Sequence, residues 1–148
     1  MLRSAARGGR TQAVRRVVCL TGMAEQHSEG MMKARLIAFG LVELDGQTYD
    51  YDVLVERGRV SRRRKKASKP QRDQYGHTPL TTLEPLPWRC RQLIIGTGAE
   101  GRLPVTPEVI EEARRRGVEL ITLPTAEACA RLSAADVDKT AAVLHVTC

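Results

Sequence analysis

Four groups of residues in this 148-residue chain have types and spacings that can do chemistry. Gly96-Thr97-Gly98-Ala99-Glu100-Gly101 is a literal G-x-G-x-x-G behind an apolar run. In dinucleotide-binding proteins such a motif opens a helix whose N-terminal N–H groups meet a pyrophosphate. Here Pro104 intervenes and the helix signal begins only at Thr106. The acid expected at the end of the next strand is matched only by Glu119, near that strand's start. Both context tests fail, so the run reads as a tight glycine turn, at which a smaller anion could still meet successive N–H groups. His77, in Gly76-His77-Thr78-Pro79, is the second group. With Asp52 or Asp50 folded back onto it, a His–Asp couple would do acid–base work; otherwise the imidazole orders its own loop. The third is Arg62-Arg63-Arg64-Lys65-Lys66, five successive cations suited to phosphates or to an acidic protein surface. The fourth, His145-Val146-Thr147-Cys148, puts His145 and Thr147 on one side of an extended chain and Val146 and Cys148 on the other, a poor metal site.

Charge and composition narrow the classes. Residues 1–22 carry five Arg and no acid, and residues 57–72 carry nine Lys or Arg and no acid. Subtracted from the net charge of +7, these segments leave the rest of the chain at −7, so a tail and a loop make an acidic body basic. Single-stranded nucleic-acid binding wants aromatic stacking platforms, and the 57–72 region has only Tyr75 nearby. A basic loop docking on acidic protein surface is therefore the leading expectation, with nucleic-acid association through 57–72 as an alternative. Cys19, Cys90, Cys129 and Cys148 match no zinc spacing and form no C-x-x-C pair, which predicts free thiols in a reducing compartment. No apolar run approaches the ~20 residues of a membrane-spanning helix, so the expectation is a soluble protein without membrane insertion.

These groups need elements to position them. Residues 1–32 lack apolar periodicity and read as a disordered or targeting-like extension. The location expected is cytoplasmic, or the mitochondrial matrix if residues 1–22 are a transit peptide. Residues 33–148 read as one α/β domain. Leu36 to Leu44 runs into Asp45-Gly46, a strong hairpin signal, and Val53 to Val55 returns through Gly58 into a strand over Arg59 to Arg63. Residues 64–91 predict a long loop with one helical turn near Thr81 to Leu86. Gln92 to Ile95 reads as a buried strand. A helix follows, with Thr106 as N-cap, Pro107 as its first residue, Val109, Ile110 and Ala113 on one face, and Glu111–Arg115 and Glu112–Arg116 pairs. Val118 to Leu123 is a strand, Thr125 opens a helix to about Ala135, and Thr140 to Thr147 is a closing strand.

Four stretches in order carry a resemblance: Gly46 to Val53, Gly76 to Leu80, Leu93 to Gly98, and Leu144 to Cys148. Together they resemble the Mth-type domain family of the adipogenesis-associated protein, to which mitochondrial complex I assembly factor three is also similar. The resemblance covers residues 33–148. It implies a three-layer α/β fold, with a mixed central sheet, two main helices and an added N-terminal antiparallel β layer. It also implies action through protein partners, in assembly or regulation, with no catalytic residues and no cofactor to carry over. The basic stretch at 57–72 is richer than the family leads one to expect. Because no complete catalytic constellation is visible, the leading expectation is a non-catalytic contact protein using Arg62, Arg63, Arg64, Lys65 and Lys66. The rival is a small-molecule or anion pocket, of a binding protein or an enzyme, built from Asp52, His77, Thr78, Gly96, Thr97 and Gly98.

Overall fold

The computed structural model describes residues 30–148. The targeting segment expected over residues 1–22, Cys19, and most of the extension lie outside the described residues. Met32, at the expected end of that extension, is already buried in the core.

Two successive hairpins set the first half. β1 (Ala34–Ala38), β2 (Leu41–Leu44) and β3 (Gln47–Tyr49) form a three-stranded antiparallel sheet. Asp45 and Gly46, both at positive φ (50° and 86°), close the β2–β3 turn as the Asp-Gly signal requires. β4 (Val53–Glu56) and β5 (Arg59–Arg62) repeat the device with Arg57 and Gly58 at 51° and 77°. This two-residue turn makes Glu56 face Arg59 and Val53 face Arg62.

The second half threads one central sheet. β6 (Gln92–Gly96), α2 (Pro107–Arg116), β7 (Glu119–Leu123), α3 (Thr125–Ser133) and β8 (Thr140–Leu144) follow in the expected sequence. The sheet order is β5-β4-β8-β6-β7, with β8 parallel to β6 and antiparallel to β4. The last strand is thus the central one, and all five of its residues are buried. A continuous small or apolar run such as Thr140-Ala141-Ala142-Val143-Leu144 suits a strand covered on both faces. The path steps one way from β6 to β7 and back past β6 to β8. Right-handed crossovers in opposite directions put their helices on opposite faces, and α2 and α3 do lie there.

Three layers result. On one face, α3 and the three-stranded sheet pack Ala128, Cys129, Leu132, Val42 and Leu44 against Val53, Val55, Ile94, Ala142 and Leu144. On the other, α2 and the segment 80–105 pack Leu80, Leu86, Leu103, Val109 and Ala113 against Leu93, Ile95, Ala141 and Val143. Each fully buried Leu or Ile contributes roughly 1.5–3 kcal/mol of transfer free energy.

Some local expectations change. The helical turn expected near Thr81 lies earlier, as a 3-10 turn over Lys66–Gln71 running into the short helix α1 (Arg72–Tyr75) that stops at Gly76, φ 81°. Pro85 and Pro87 keep the later segment irregular. Ile110 does not join Val109 and Ala113 in the core but is 48% exposed. Arg115 and Arg116 both reach Glu112, while Glu111 takes Arg114 in place of Arg115. Thr106 holds the N-cap conformation (φ −72°, ψ 155°), yet its hydroxyl makes no hydrogen bond. Among the described residues, no helix is long and apolar enough to cross a membrane, and no group of three His, Cys, Asp or Glu could hold a metal ion.

Candidate functional site

The polar centre of the molecule is one row of residues running across three strands just past their ends. The β4–β5 turn places Arg63 opposite Asp52, and Arg63 N donates to Asp52 O at 2.9 Å. The β4–β8 register, in which Val53 faces Leu144, places His145 opposite Asp52 on the other side. Directly opposed residues in antiparallel strands point to the same face, so Arg63, Asp52 and His145 converge. All three are buried.

Asp52 is the hub. Its Oδ2 accepts from Arg63 Nη1 at 3.0 Å and bonds His145 Nδ1 at 2.8 Å, with Lys65 Nζ 3.7 Å away. Its Oδ1 accepts from Val146 N at 3.1 Å. Burial alone would raise this carboxyl. The hydrogen bond and charge of His145, the Val146 amide and Lys65 outweigh burial and lower it to about 2. Arg63 is satisfied on its other side by Glu84, in a two-pronged pair: Nε to Oε1 at 2.8 Å and Nη2 to Oε2 at 2.7 Å. Burial works against its charge, but the bonds and charges of Glu84 and Asp52 prevail and raise its pKa. Arg63 Nη2 also donates to Pro79 O at 2.9 Å. Ser68 completes the shell by donating to Glu84 Oε2 at 2.6 Å and meeting Thr81 Oγ1 at 2.7 Å. Segments 63–68 and 79–84 are therefore tied to the sheet through a single guanidinium.

The five-cation run divides by position. Arg63 is turned inward. Arg62 lies with its guanidinium 4.4 Å from the Tyr51 ring centre. Lys65 leans over Asp52. Arg64 and Lys66 are exposed, as is Lys69 beyond them. Arg62, Lys65 and Arg63 line a cleft of about 240 Å3, together with Asp50, Tyr51, Asp52, Val146 and Thr147. A larger groove, of about 930 Å3, lies elsewhere, between Met31, the β4–β5 turn and residues 134–138.

The glycine turn serves the chain's own last residues. Gly98 adopts φ 111°, and a Cβ there would collide with the backbone of Thr147 and Cys148. Thr97 N donates to Leu123 O, Gly98 N to Thr125 Oγ1 and Ala99 N to Thr147 O, all at 2.8 Å. Thr125 Oγ1 in turn donates to His145 O at 2.6 Å. These amides are committed, so the turn holds segment 145–148 in place. His77 approaches the same segment, its Nδ1 3.7 Å from Cys148 Sγ. Asp52 is partnered by His145 and not by His77, and Thr78 is half-buried beside His77. Asp52, His77, Gly96 and Gly98 thus each touch segment 145–148. The cysteines at 90, 129 and 148 are free; burial pushes the Cys129 thiol up to about 12, an inert core position.

A family model described as a protein of unknown function, DUF498/DUF598, matches residues 35–145. The chain belongs to the DUF498/DUF598 family. Solved structures of the same fold include the conserved hypothetical protein PH1505 from Pyrococcus horikoshii OT3. That protein is 30% identical, over 79% of this chain and 100% of its own, with a TM-score of 0.62. The protein MT938 is 28% identical, over 79% and 99%, with a TM-score of 0.59. A Bordetella parapertussis protein, 14% identical over 81% and 99%, has a TM-score of 0.51 and shares the fold alone. No curated protein matches. The Mth-type resemblance therefore holds for family and fold.

In the sequence His145 figures only in a poor metal site, and Glu84, Ser68 and Thr81 carry no site signal. For His145 the missing signal was strand order, since β8 meets β4 only through long-range pairing. For Arg63 the signal was present: a two-residue turn at Arg57-Gly58 fixes Asp52 as its cross-strand partner.

Proposed function

We propose that this DUF498/DUF598 protein acts through contact with an acidic surface of another protein, using the exposed cations that follow β5. The observation behind this reading is the split of the basic run. Arg63 is sequestered between Asp52 and Glu84, while Arg64, Lys66 and Lys69 stay in solvent. An anchored segment presents its charges in a fixed arrangement, and little conformational freedom is lost when a partner docks. Such charges steer an acidic partner and set register more than they add affinity. The resemblance to proteins that act in assembly supports the same reading.

Affinity purification from the native host tests it. The expected result is a protein retained by wild type in nuclease-treated extract and lost by the Arg64→Glu/Lys66→Glu/Lys69→Glu variant. The same proteins retained by both would refute the assignment. Loss of the complex on nuclease treatment would instead indicate the nucleic-acid alternative, whose affinity falls steeply with salt.

A further inference from the structure

We propose that the cleft at the end of β5 is a binding site for a small oxyanion, with a phosphate group as the best-matched ligand. The cleft is separate from the exposed cations assigned to partner contact. Its volume, about 240 Å3, lies below the roughly 300–1,000 Å3 of sites for drug-sized molecules, so the bound group has few heavy atoms.

The sign of the ligand follows from which lining charges are already committed. Asp52 is already bonded to Arg63, His145 and the Val146 amide, so its charge is compensated before any ligand arrives. Arg63 is largely committed, with four of its five N–H donors taken by Asp52, Glu84 and Pro79 O. What remains is Arg62, Lys65 and the Thr147 hydroxyl, with Asp50 as an opposing charge in the lining. The Arg62 guanidinium carbon lies 4.4 Å from the Tyr51 ring centre, a contact that uses none of its N–H donors. Lys65 is half-buried, and its 3.7 Å separation from Asp52 is longer than a hydrogen bond, so the ammonium can turn toward a ligand. Thr147 Oγ1 lies 3.3 Å from His145 Nε2, whose other nitrogen is held by Asp52. The hydroxyl is thereby placed at the end of a buried Asp52–His145 chain. Two cations and one hydroxyl outweigh Asp50, and their several donors match a tetrahedral oxyanion with multiple acceptor oxygens better than a carboxylate with two.

Titrating full-length protein with inorganic phosphate, with acetate as the monoanionic comparison, tests this in 15N–1H NMR spectra at low chloride. Saturable shifts are expected at Tyr51, Arg62, Lys65 and Thr147, with phosphate binding more tightly than acetate. Lys65→Met weakens phosphate binding by about tenfold or more, Asp50→Asn strengthens it, and Lys69→Met leaves it unchanged. Dispersed spectra of each variant confirm folding. Acetate binding as tightly as phosphate, Lys65→Met and Lys69→Met behaving alike, or shifts that do not saturate (an adventitious ion only) would each overturn the proposal. None of these outcomes depends on a protein partner.

Discussion

Arg63 shows how much one side chain can decide. Its single guanidinium pairs with two buried carboxylates, Asp52 and Glu84, at once. Arg63→Met is expected to destabilise the protein by about 3–5 kcal/mol in urea unfolding, because Asp52 and Glu84 stay buried. Arg63→Lys should not restore this loss, since a point-like ammonium cannot bridge both partners as the planar fork does. Asp52 makes a complementary prediction with pH. Its folded-state pKa, about 2, lies below the ordinary 3.8, so its stabilisation is complete above 3.8 and vanishes as pH falls through 2. The amount is about 2 kcal/mol. Acid unfolding of Asp52→Asn should therefore lack that part of the pH dependence between about 4 and 2. Thr106 runs the other way. Its buried hydroxyl has no protein partner, so Thr106→Val should raise stability by about 1 kcal/mol, read as a higher urea midpoint.

At the level of elements, the turns and helix ends were the most legible parts of the sequence. Asp45-Gly46 announced a hairpin and Thr106-Pro107 a helix start because backbone geometry there is set by adjacent residues. Strand order was not legible, since β8 inserts between β4 and β6 through contacts roughly ninety and fifty residues away in sequence. The site inherits that division. The Asp52–Arg63 half follows from one local turn, while the His145 half needs the long-range pairing. A run of five cations also gives no local hint of which one turns inward. The glycine turn shows the same limit: its sequence reads as a tight turn open to a small anion, and the group that needs Gly98 to be small is the chain's own backbone. Gly98→Ala is expected to dislodge segment 145–148, costing about 2–4 kcal/mol from collision and strain at φ 111°. Faster amide exchange at Val146, beyond the change at Val42, would report that local loss; uniform change across both would argue against it.

For the molecule as a whole, the layers serve to hold a polar row at one end of a central sheet, and the row holds the segment that carries the exposed cations. The acidic remainder of the chain makes that basic region the point of greatest charge contrast. Because the anchored segment and its charges are distinct, the account separates folding from contact. Reversing Arg64, Lys66 and Lys69 should leave the thermal midpoint within about 5 °C, as each exposed substitution changes stability by only about 0.5 kcal/mol. The most direct measurement joins amines to carboxylates at zero length with carbodiimide in the partner complex, followed by peptide mapping. The account predicts cross-links from Lys66 or Lys69 to Asp or Glu of the partner. Cross-links confined to the exposed Lys33 or Lys139, with none at Lys66 or Lys69, would contradict it.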